Sequence, residues 1–181
     1  DSRTADRLKK AGASKEVLDA LKKAKDRSAK PPAASKAAIA YEDVLRLLDL
    51  KISEELLAAN PQSAQAARDV SVSLNRQGYF LAKRGQSGDA EHALGYFERS
   101  LEIKEGLLSA NPQSAQAARD VSVSHVAMYH FHLRHGNAEA ANTHLSQCFA
   151  ILDNFAQANR PMDAQMRAVY AKLKPKFAPA Q

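Results

Sequence analysis

Fourteen residues of this chain occur twice, letter for letter: NPQSAQAARDVSVS fills 60–73 and again 111–124, an offset of 51. The match extends upstream, where Ile52, Leu56, Leu57 and Ala59 stand opposite Ile103, Leu107, Leu108 and Ala110. A weaker third copy follows, in which Asn159, Pro161, Asp163, Ala164 and Gln165 echo Asn111, Pro112, Ser114, Ala115 and Gln116 with one residue inserted. A period of this size is the mark of a solenoid, whose units each stack only on their neighbours. The duplication therefore predicts an elongated stack of similar units.

The units read as helical throughout. One helix is expected from about Ser35 to Ala59, with Ile39, Val44, Leu45, Leu48, Ile52 and Leu56 as its apolar stripe. Asn60-Pro61 should end it, Asn by adopting a left-handed cap and Pro by opening the next helix. The following helices are expected over about 62–84, 89–110, 113–135 and 138–158, with turns at Gly85 and Gly136. A sixth should open at Pro161 and end before Pro175. No segment shows the alternation of a strand. Alanine-rich apolar content without Trp suits closely packed helices.

The net charge of +6 is unevenly spread. Residues 1–36 hold eleven of the 26 Lys and Arg and five of the 20 Asp and Glu, which leaves fifteen of each for the remainder. The basic character belongs to an N-terminal appendage, read as two short helices over 3–10 and 14–29 and a KPPAAS linker over 30–35. The chain opens on Asp1 without an initiator Met and reads as a piece of a longer protein. The lone Cys148 excludes an internal disulfide and points to a reducing, cytoplasmic setting. No apolar run approaches the roughly 18 residues of a membrane span.

The repeat resembles the tetratricopeptide family. That family's first helix carries an apolar residue, a small residue four on and an apolar residue three further, and Leu74, Gly78 and Leu81 match. Its second helix carries a small residue, an aromatic four on and then a small–large pair, matched by Ala93, Phe97 and Ser100-Leu101. Ala141, Leu145 and Cys148-Phe149 fill the same slots in the next copy. The resemblance covers about 37–175 and implies an all-α fold, a right-handed α-solenoid of antiparallel helix hairpins. The domains would then be the 1–36 appendage and a 37–181 repeat domain with a C-terminal capping helix. Three features depart from the family. The period is 51 rather than the family's 34, Ser87-Gly88-Asp89 look inserted, and His125, Tyr129 and His132 replace Leu74, Gly78 and Leu81 in the second copy. Such long-helix variants resemble repeats of bacterial multidomain proteins, which implies a scaffold, regulatory or sensor role.

In that family the first helix of each repeat lines a concave groove. Carried over by motif, the partner-binding residues would be Val72, Asn75, Tyr79 and Lys83, then Val123, Val126, His130 and Arg134. An Asn and a basic residue there could hold an extended peptide's backbone or an acidic side chain. The expected partner is a protein or peptide. The alternative is self-association into a homo-oligomer through exposed solenoid ends or the appendage.

Other chemistries find less support. Five of the six histidines fall in 125–144, with no HExxH and no Cys pair, so His125 and His132 read as packing replacements and no metal is assigned. The grouping of His125, His132, His135 and His144 keeps open whether it does more than pack. Cys148 occupies a packing slot and reads as an inert thiol. The appendage has no aromatic residue to stack on a base, which argues against nucleic acid. There is no phosphate loop, nucleophile elbow or apolar carboxylate pair. The chain is expected to be a non-enzyme without cofactors.

Overall fold

The computed structural model describes residues 36–177, with their side chains from Asp43 onward. The two appendage helices, the linker and Ile39's place in the first stripe lie outside what is described. The described residues form six helices and no strand. They are α1 Lys36–Ala59, α2 Ala64–Arg84, α3 Asp89–Ala110, α4 Ala115–Arg134, α5 Ala138–Gln157 and α6 Ala164–Phe177. Successive helices pack as adjacent antiparallel pairs. The chain divides into two compact units between Tyr96 and Phe97, inside α3.

Duplicated sequence produces duplicated local structure. In each copy the Ser amide bonds back to the Asn carbonyl at 3.0 Å, Ser63 to Asn60 and Ser114 to Asn111. This closes a four-residue turn with Pro at its second position, where its fixed φ is at home. The Ser then caps the helix: Ser63 Oγ accepts from the Ala66 amide and Ser114 Oγ from the Ala117 amide, each at 3.1 Å. Asp163 plays that part for α6, its Oδ1 accepting from the Met166 amide at 2.8 Å, so the third copy is also a helix start. The expected left-handed cap at Asn60 and Asn111 is corrected. Asn159 (φ 50°) is the non-glycine residue with positive φ among those described. A Pro-containing turn needs no left-handed residue, so the helices begin after the Ser cap rather than at the Pro. The left-handed turns fall at Gly85 (φ 66°) and Gly136 (φ 74°), where only glycine avoids a steric cost.

In the first unit α1 packs against α2. The inward face of α1 is centred on Ile52 and Ser53. At about 100° per residue Val44 lies diametrically opposite Ser53. It is 62 % exposed, which removes it from the expected stripe. Val70, Leu74 and Leu81 of α2 and Ala93 of α3 are buried.

In the second unit α4 packs on α5 and α5 on α6. Their core joins Ala118, Leu145, Cys148, Leu152, Phe155 and Met166. Pro175 lies inside the last turn of α6 rather than beyond it. Phe177, two residues further, is held by stacking on Phe149 at a centroid distance of 5.6 Å, which keeps the turn in place.

Candidate protein-interaction surface

The eight residues expected to face a partner share helix faces in their own units. On α2, Val72, Tyr79 and Lys83 are exposed and Asn75 is half-buried. On α4, Val123, His130 and Arg134 are exposed and Val126 is half-buried. The two faces differ in what surrounds them. Val123 and Val126 line an apolar cavity of about 70 Å³ that Gln165, Met166 and Val169 of α6 also line. The chain's own last helix thus borders this part of the face, and His130 and Arg134 do not line the cavity.

In the first unit Tyr79 and Lys83 border a larger groove, about 530 Å³, completed by Arg46, Arg76, Phe80, Arg84 and Gln86. Four cations surround two aromatic rings. The guanidinium carbons of Arg46 and Arg84 lie over the Phe80 ring, 4.9 and 5.5 Å from its centroid. Burial of its inner edge raises the pKa of the Tyr79 phenol above its usual value.

A partly buried network fixes the base of this groove. Arg84 donates from Nε to Asp89 Oδ2 at 2.8 Å and from Nη2 to Oδ1 at 2.6 Å, a two-pronged pair. Its Nη1 donates to Asp43 Oδ2 at 3.0 Å, and Gln77 Nε2 donates to Asp43 Oδ1 at 2.9 Å. The Gln86 amide adds a bond to Asp89 Oδ2 at 2.8 Å. The Arg84 hydrogen bond, with the Gln86 amide and Arg84's charge assisting, holds the Asp89 carboxyl down to about 2. Arg84's own pKa is raised, first by that bond. Arg84 is therefore a neutralised positioning group that orients Phe80. Arg76 pairs with Asp49 at 3.3 Å, but both side chains are at least half exposed, so the pair is easily exchanged for another anion. Lys83 makes no ion pair among the described residues.

Sequence reasoning found Tyr79 and Lys83 but not the rest of this groove. Arg76, Tyr79, Phe80 and Lys83 fall at helical spacing on one face, a signal present in the sequence. Arg46 comes from α1, and nothing local links it to α2. Val72 and Asn75 share the α2 face without lining the groove.

Among the described residues no group of three or more His, Cys, Asp or Glu could hold a metal ion, and no helix is long and apolar enough to cross a membrane. No family model matches the chain, and neither a curated protein nor a solved structure matches it.

Proposed function

We propose that the chain is a protein-interaction module, a tetratricopeptide-like right-handed solenoid serving as scaffold or regulatory region of a larger bacterial cytoplasmic protein. It would act without catalysis, holding an acidic segment of a partner protein along α2. The observation that carries this reading is the groove of about 530 Å³ in which Arg46, Arg76 and Lys83 surround Tyr79 and Phe80. Arg fork geometry suits carboxylates, and aromatic rings supply contact area at little entropic cost. The exposed Val72 and half-buried Asn75 extend the same face for a longer segment.

The test is selection from a displayed library of random twelve-residue peptides. Enrichment of Asp and Glu is expected, and Arg46→Ala with Lys83→Ala should weaken the selected peptides about five- to tenfold, the loss of roughly 1–1.4 kcal/mol. Lys51→Ala, on an exposed position of α1, should leave binding unchanged. Peptides without acidic enrichment, or equal binding by the double variant, would overturn the reading.

The alternative, self-association, draws on a separate observation. Val44 and Leu47, 62 % and 44 % exposed, stand about one turn apart on α1. In the second unit Gln165, Arg167, Lys172, Lys174 and Lys176 of α6 are exposed, as on a capping helix. A dimer by light scattering that Val44→Asp abolishes would favour this second reading.

A further inference from the structure

Among the differences between the second unit and its duplicate is a cluster of histidines. Leu74 and Leu81 of the first copy are 0 % and 4 % exposed apolar packing residues. Their counterparts are His125, 2 % exposed, and the half-buried His132. Both meet His144 of α5. His125 Nδ1 lies 3.2 Å from His144 Nδ1. The His132 and His144 rings stack at 5.4 Å with 9° between their planes. From α3, Glu105 Oε1 approaches His125 Nε2 at 3.6 Å.

We infer that His125, His132 and His144 form an acid-sensitive latch between α4 and α5, closed while the rings are neutral and loosened when the facing pair takes up a proton. At the short contact one Nδ1 carries a proton and the other accepts it. Adding a proton to the accepting nitrogen sets two N–H groups against each other at a contact of 3.2 Å. A charged ring on His125 would also be cut off from water. The His132 ring stacked on His144 faces a second cation if both charge.

The neighbouring groups do not remove this penalty. Glu105 is the carboxylate facing His125, and its own pKa is raised, first by burial and then by Glu102, so acid weakens it as a counter-ion. Lys104, also on α3, is buried and donates to Ser124 Oγ at 2.8 Å, which brings a further positive charge one residue from His125 along α4. His135, at the end of α4, stacks on Phe131 at 4.4 Å and stands outside the trio. In keeping with this geometry, burial first and His144 second depress His125 to about 4, and His144 is depressed by burial and His132.

The sign follows directly. An unfolded histidine protonates near 6.5, while folded His125 resists until about 4. Between those values the open form binds more protons, so stability falls as pH falls. Opening should become about tenfold more favourable for each pH unit in that window from His125 alone.

The test is urea denaturation of the chain between pH 7.5 and 4.5, with His125→Leu, the residue its duplicate carries, as comparison. The variant should lose most of this pH dependence and overtake the native chain at the acid end. A slope parallel to the native one would overturn the latch. If His125→Leu fails to fold, titration of the native imidazole signals by NMR decides: His125 should stay neutral at pH 5, and a midpoint near 6.5 would overturn it. Hydrogen exchange at pH 5 should open α4 and α5 before α1 and α2, and equal loss of protection in both would count against it.

Discussion

Lys104 Nζ donates to Ser124 Oγ at 2.8 Å, and Lys104 as a whole is only 5 % exposed. Ser124 is the duplicate of Ser73, whose Oγ instead donates to Asp49 Oδ2 at 2.9 Å and lies 3.1 Å from Ser53 Oγ. The difference comes from the partner helix: Ser53 on α1 corresponds to Lys104 on α3. Removing Ser124 takes an acceptor from a cation that water hardly reaches. Removing Ser73 leaves an Asp49 carboxylate that is half exposed and readily solvated. Ser124→Ala should therefore cost about 1–3 kcal/mol and Ser73→Ala about 1 kcal/mol or less. Denaturation midpoints of the two variants check the order.

Asp89 supplies a pH dependence distinct from that of the histidines. Its carboxyl is held down to about 2, whereas the unfolded group protonates near 4. A group with a depressed folded pKa contributes stability that is fully present above the unfolded value and lost as pH falls through the folded one. Asp89→Asn should lower the melting temperature at pH 7 and flatten its fall between about pH 4 and 2. Thermal melts by circular dichroism across that range read both effects.

Ala93 is 0 % exposed and Ala66 only half-buried. Ala93→Leu forces extra volume into closed packing and should cost about 1–3 kcal/mol. Ala66→Leu, in the first turn of α2, should fall within about 0.5 kcal/mol of the native chain. Equal shifts in urea midpoint would contradict the register of the duplicated segment.

Cys148 is fully buried in the second core, and burial pushes its thiol up to about 11. The thiolate is the reactive form, so the native chain at pH 8 should resist a disulfide reagent such as Ellman's. Its labelling rate should follow unfolding, rising with urea along the circular dichroism transition. Immediate labelling of the folded chain would show access to the α5 slot.

Much of the helical framework was legible because it depends on local rules. The duplicated NPQS tetrapeptide dictates a Pro turn and a Ser cap wherever it occurs, and Gly85 and Gly136 mark positions that need positive φ. The motif slots of the resembled repeat placed Leu74, Leu81, Ala93 and Phe97 inward, and they are buried. Even the third copy could be read, through Asp163 in the Ser slot. What the sequence could not determine is how faces meet across helices. Val44 keeps apolar spacing yet is exposed, because the rotation of α1 against α2 depends on the whole contact surface rather than on α1 alone. Arg46 joins Tyr79 and Lys83 in one groove, although more than thirty residues separate it from either. Identical serines take different partners because the helix opposite each has diverged. Local conformation follows from short-range sterics and hydrogen bonding, which a fourteen-residue segment contains in full. Groove shape, charge pairing and the neutrality of His125 depend on neighbours brought together only by the tertiary fold.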